Sequence, residues 1–130
     1  VPDTPGVFEQ MVLLAILHLG PEAYGTTIRR EIEARTGRSI AVGALYTAID
    51  RLERKGFVRH EWADQKNLYS AAVPAAAARK SALNQLVRTF FDNSPANAAT
   101  ALLGMQKNIE PEYLDELEKL VRKAREEQGR

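Results

Sequence analysis

The hydrophobic period of this chain changes abruptly at Gly56, and that change restricts the fold more than any other feature of the sequence. Before it, the segment IAVGALYTAIDRLERKG carries Val42, Leu45, Ile49 and Leu52 at steps of three, four and three. That spacing predicts a helix with one apolar stripe turned to a core. After it, FVRHEWAD sets Phe57, Arg59 and Glu61 against Val58, His60 and Trp62, which is the period of a strand. LYSAAV follows beyond the turn-like Asp64-Gln65-Lys66-Asn67, so the two runs predict a β-hairpin. A one-striped helix that runs straight into a hairpin must bury its stripe on elements supplied by the rest of the chain.

Two helices precede it. TPGVFEQMVLLAILHLGP has Thr4 as a candidate cap, Pro5 at a first helical position and Gly20-Pro21 as a stop. Its positions Phe8, Val12, Ala15, Ile16 and Leu19 form one apolar face. A second helix is predicted over 25–36, with Ile28 and Ile32 one turn apart and Gly37 as terminator; Ser39 then opens the third. After Pro74 the helical period returns, with Ala82, Leu83, Leu86, Val87 and Phe90 on one side. Ser94-Pro95 restarts a short helix that ends near Gly104, and Glu110-Pro111 starts a last one with Leu114, Leu117, Val121 and Ala124 in register. Three helices and a hairpin, in that order, predict a mainly α chain: a winged helix-turn-helix over 1–74, then a helical region over 75–130.

Composition removes several classes of function. Without cysteine there are no disulfides, thiolate metal sites or thiol chemistry. His18 and His60 lie far apart and form no metal-ligand spacing, so no metal and no cofactor is expected. There is no glycine-rich phosphate loop and no G-x-S-x-G, and the acids of DELEK and AREEQ sit at salt-bridge spacing with bases, so no enzyme is expected. The apolar run MVLLAIL is too short for a membrane span, no basic stretch precedes it, and the expected compartment is the cytoplasm.

The net charge is only +1, yet it is unevenly placed. Residues 24–67 carry nine bases against six acids, and 75–91 add Arg79, Lys80 and Arg88 with no acid. Positive charge in mid-chain suits phosphate. A helix that enters a major groove needs a polar face opposite its core stripe, and Tyr46, Thr47, Asp50, Arg51 and Arg54 supply one. Its small start, Ala41, Gly43 and Ala44, lets backbone lie close to a partner; an interior glycine otherwise costs about 1 kcal/mol against alanine. Tyr46 reads equally well as a half-buried surface residue or as a phosphate donor. Trp62 is expected to pack against the third helix, and His18 to be structural.

The segment from Phe8 to Val58 resembles the DNA-binding domain of PadR-type transcriptional regulators, through AYG at 23–25 and RSIAVGALYTAIDRLERKG at 38–56. The resemblance implies that Ser39, Gly43, Tyr46, Thr47 and Arg51 face DNA, and that Tyr24, Thr26 and Thr27 meet phosphates at the start of the second helix. The Arg and Lys residues of 24–67, Arg59 and Lys66 of the wing among them, would neutralise phosphates together with Arg79-Lys80. PadR-type wings carry a Gly/Arg/Lys-rich tip, where this chain has only Gln65-Lys66-Asn67. Residues 68–125 are similar instead to the dimerisation half of penicillinase-repressor-type regulators. That similarity implies a homodimer in which Leu83, Leu86, Val87, Phe90, Phe91, Leu102, Leu103, Leu114, Leu117 and Val121 divide between core and interface. In that group a sensor protease cuts this region, often beside Asn-Phe, a pair this chain lacks.

The resulting expectation is a homodimeric repressor on a double-stranded, pseudo-palindromic operator. Two rivals stand beside it: a winged-helix protein-interaction module, and a regulator gated by a small molecule bound near Trp62, Phe57 and Phe90, between wing and dimer helices. The last helix is too short to be stable alone, so its stripe must pack on a neighbour. Deletion of 108–130 should therefore leave a monomer with greatly weakened operator binding. Sedimentation decides this, and a truncated chain that stays dimeric at micromolar concentration contradicts it.

Overall fold

A computed structural model describes residues 5–129. Its first helix, α1 (Val7–Leu19), is apolar on nearly every side, and a helix of that kind has to be surrounded. It is: α2 (Gly25–Thr36), α3 (Val42–Arg54) and α4 (Ala75–Phe90) all pack on it. Val12, Leu13 and Ile16 of α1 meet Ile28 and Ile32 of α2 and Leu45, Ile49 and Leu52 of α3 in one buried cluster, which Val58 and Tyr69 of the hairpin and Ala78 of α4 extend. Three packing partners widen the buried arc beyond the single predicted stripe. Leu13 is fully buried, while Phe8 and Leu19 lie only at the edge of the cluster. Glu9 on α1 closes the far side by an ion pair to Lys55 at the end of α3, Oε1 to Nζ 2.8 Å.

Several local expectations shift by a residue or two. Thr4 falls outside the described residues. Pro5 is buried and precedes the helix, which Gly6 caps, so Pro5 is not the first helical residue. A short 3-10 turn (Gly20–Glu22) follows α1, entered through the positive φ of 58° at Gly20. At the end of α2, Gly37 takes the left-handed conformation, φ 70°, that ends a helix. Ser39 does not open α3. Ala41 is its N-cap, with no side-chain cap. Val42, as the first residue of the helix, is half exposed at 50%, and Ala48 completes the buried stripe in its place.

The hairpin pairs β1 (Val58–Ala63) with β2 (Lys66–Ala71), from Val58 opposite Ala71 to Ala63 opposite Lys66. Lys66 and Asn67 therefore belong to the strand, and the predicted four-residue turn contracts to Asp64-Gln65. Both have positive φ, 52° and 61°, as a two-residue hairpin turn of right-handed strands requires. The wing is tied at its base: the Phe57 N–H donates to Leu52 O (2.9 Å), and the Tyr69 N–H donates to Ala23 O (2.8 Å). Burial pushes the Tyr69 phenol above its usual pKa.

Two compact units divide the chain between Asn93 and Ser94. The first includes α4, joined to α1 by a Gln10 Nε2 to Ser81 Oγ hydrogen bond of 3.2 Å. Along α4, Ala78 and Val87 are buried, whereas Leu83, Leu86 and Phe90 are exposed. In the second unit Ser94 caps α5 (Pro95–Met105), its Oγ accepting from the Asn97 N–H at 3.2 Å, and Pro95 and Pro111 take first helical positions of α5 and α6 (Pro111–Gln128). Only Ala98 of the described residues there is buried; Leu102, Leu103, Leu114 and Val121 stand open. No helix among the described residues is long and apolar enough to cross a membrane.

Candidate nucleic-acid interface

Tyr46 settles which way α3 looks. A Cβ built on Gly25 would lie 2.1 Å from the Tyr46 hydroxyl oxygen and 3.0 Å from Cζ, so the phenol occupies the space that any other residue at 25 would need. The ring is nonetheless 46% exposed. It is therefore the half-buried surface residue that one of the two readings describes, packed at one edge and open at the other. The contact brings the exposed face of α3 to the first residue of α2.

The start of α2 is built by its neighbours. Tyr24 is the N-cap, and its N–H donates to Thr27 Oγ1 at 3.0 Å. The Thr27 hydroxyl in turn donates to Glu22 O at 2.5 Å, so this side chain is engaged in holding the turn. Thr26 beside it is exposed. From the wing, Lys66 places Nζ 4.0 Å from the centre of the Tyr24 ring, a cation–π contact. Tyr24, Thr26, Thr27, Tyr46 and Lys66 thus gather around Gly25. Gly43, Thr47 and Arg51 lie together along α3, where they line a shallow cleft with Val7 and Phe8 of α1. The structure does not bring Arg59 to this group: it alternates with buried Val58 and with His60, which turns to Glu53 on α3. Ser39 is exposed ahead of the Ala41 cap.

Charge follows the same division. Arg29, Arg35 and Arg54 pair with Glu33, Glu31 and Asp50, one helical turn away in each case. Among the described residues, Arg30, Arg38, Arg51, Arg59 and Lys66 have no carboxylate in ion-pair range. The first turn of α3 has no side-chain cap, and residues 41–44 are all exposed, which leaves amide donors at the positive end of the helix dipole for an outside acceptor. A Cβ on Gly43 would meet nothing within 4 Å, so no packing among the described residues explains its glycine.

Sequence reasoning gave Gly25 no role, whereas Arg30 and Arg38 belong to the basic segment 24–67 that it assigned to phosphates. The signal for Gly25 was available: a glycine opening a helix, where no turn demands one, marks a close approach. Trp62 is corrected outright, for it is 70% exposed and does not pack on α3. A cavity of about 540 Å³ lies between α1, α2 and α4, lined by Met11, Leu14, Ile32, Arg35 and Arg79 among others. No group of acidic and histidine side chains among the described residues could hold a metal ion.

Three helices on one core, an open third helix and a hairpin hydrogen-bonded back to the start of the second define a winged helix-turn-helix protein. The sequence matches the penicillinase repressor family over residues 5–123, and the chain belongs to that family. The match takes in both the winged helix-turn-helix and the carboxy-terminal helices as far as residue 123, and no PadR-type assignment is shown. The family is one of DNA-binding transcriptional repressors, not enzymes, and its members are dimers. Among curated proteins, none matches the chain.

Two substitutions probe the surface. Tyr46→Phe should cost roughly 0.5–1.5 kcal/mol of DNA affinity, the net worth of one hydrogen bond, with melting unchanged. Gly43→Ala should stabilise the fold by up to about 1 kcal/mol and yet weaken DNA binding, because the methyl group projects toward the partner. Melting and DNA titration of both variants check this; Gly43→Ala with unaltered affinity removes the α3 start from the interface.

Proposed function

We propose that the chain acts as a homodimer that represses transcription by holding a pseudo-palindromic operator, each protomer placing α3 in the major groove of one half-site. The observation that carries this reading is the convergence at Gly25 of the α3 face, the start of α2 and the base of the wing. Three elements that separately make weak contacts then meet one DNA surface together. Tyr46, Thr26 and Lys66 act on phosphates and fix the register. Thr47 and Arg51 lie nearest the bases, with Arg51 able to reach a guanine edge. Tyr24 and Thr27 hold the start of α2 in shape.

The three helices after the wing, α4, α5 and α6, supply the dimer. Leu83, Leu86 and Phe90 on α4, Leu102 and Leu103 on α5, and Leu114 and Val121 on α6 are exposed, and a second copy that covers them removes apolar surface from water. Partly buried Phe91 and Leu117 border these faces, and Val87 serves the core. Two copies fix two α3 helices at a set spacing, which is why the operator should read as an inverted repeat.

Selection of bound duplexes from a random DNA library tests the proposal. It should return an inverted repeat whose half-sites lie about one helical turn apart. Binding should also fall by orders of magnitude between about 50 and 200 mM salt, because the uncompensated cations of two protomers release counterions. Replacing Lys66 should weaken binding to all sequences alike and make the salt slope shallower by about one unit per half-site. Unenriched DNA with a flat salt response contradicts the proposal and favours a protein-binding module.

A further inference from the structure

Trp62 is the one tryptophan of the chain, and at 70% exposed it contributes little to the fold. Its direction follows from strand alternation. Val58 on the same strand face is buried in the core, His60 reaches α3 with Nδ1 2.7 Å from Glu53 Oε2, and Trp62 is the next residue on that face. Asn67 lies directly opposite it, two places from buried Tyr69. The indole therefore stands on the side of the wing that faces α3, past the point where α3 covers it. Charge does not explain how this part of the wing would hold DNA: residues 59–67 carry Arg59 and Lys66 against Glu61 and Asp64.

We propose that the Trp62–Asn67 face is an apolar clamp for one DNA strand. The indole packs on deoxyribose rings beside the groove that α3 enters, while the Asn67 side chain opposite it is held by a hydrogen bond to the Tyr69 phenol. The inference rests on the DNA-binding reading above and adds a contact of a different kind. Packing on sugar neutralises no phosphate, so it adds affinity without adding to the salt slope. It reads no base, so it adds equally to all sequences. It is continuous with the α3 surface, which is what favours DNA over a protein as the occupant.

A single tryptophan makes the test direct. The full chain is titrated with a labelled operator duplex and with a random duplex, with DNA anisotropy and Trp62 emission followed in parallel. Emission should be quenched over the same concentration range in which anisotropy rises. Trp62→Ala should weaken both duplexes alike, by about 5- to 50-fold, with an unchanged salt slope and melting point, and Trp62→Phe should recover most of the loss. Anisotropy that rises while emission stays constant overturns the clamp and leaves the DNA-binding reading intact. So does Trp62→Ala with wild-type affinity. Emission that changes with protein concentration before DNA is added assigns Trp62 to a contact between chains and equally overturns the clamp. Wild-type protein that binds neither duplex overturns the DNA-binding reading itself, and the clamp with it.

Discussion

The missing side chain at Gly25 sets the shape of the whole surface. Because no Cβ is there, the Tyr46 phenol can lie against the first turn of α2, and α3 settles at the angle this contact permits. Two residues back, the Ala23 carbonyl accepts from the Tyr69 N–H and holds the wing to the same point; between them, the Tyr24 ring carries the Lys66 ammonium. Three consecutive residues thus gather a helix, a helix and a hairpin that are distant in sequence. The contacts are individually small. A backbone hydrogen bond is worth about 1 kcal/mol net, and an exposed cation–π contact about 0.5–1 kcal/mol. Their effect is geometric, since each of them fixes an element relative to the same short stretch of chain.

That arrangement depends in turn on α1, the helix against which α2, α3 and α4 all pack. A helix apolar on several sides can seat α2, α3 and α4 together, and the burial of side chains such as Leu13, Ile16, Ile28 and Leu52 stabilises each by about 1.5–3 kcal/mol relative to exposure. The polar chemistry of the interface is thereby freed from any duty in holding the helices together. Arg51 and Thr47 can stay exposed and Gly43 can stay bare, at a small cost in helix propensity, because the fold does not need them.

Much of this was legible in the sequence where a local rule decides. The bounds of α2, the Gly37 stop, the Ser94-Pro95 restart and the hairpin after Gly56 follow from caps, turn residues and period, and the structure has them there. What escaped depended on partners that periodicity cannot see. Leu13 is buried because α1 is covered on several sides, and Val42 is exposed because it opens its helix. The turn contracted to Asp64-Gln65 because Lys66 and Asn67 found ladder partners. Thr27 was read as a phosphate ligand from its place at a helix start, but its hydroxyl is engaged with the Glu22 carbonyl and the Tyr24 amide. Trp62 was expected inside because large aromatics usually are, and strand alternation alone does not say where the neighbouring helix ends.

On the proposed reading, the Gly25–Tyr46 contact does more than any single polar group to position α3 for DNA. A double-mutant cycle on DNA affinity with Gly25→Ala and Tyr46→Ala measures it, with helical content and melting followed for each variant. A methyl group at 25 displaces the phenol, so Gly25→Ala should lower affinity markedly in the wild-type background and hardly at all once Tyr46 is gone, while helical content is retained. The coupling should be about 1 kcal/mol or more. Additive losses, or Gly25→Ala with wild-type affinity, would show that α3 takes its position without this contact and would contradict the account.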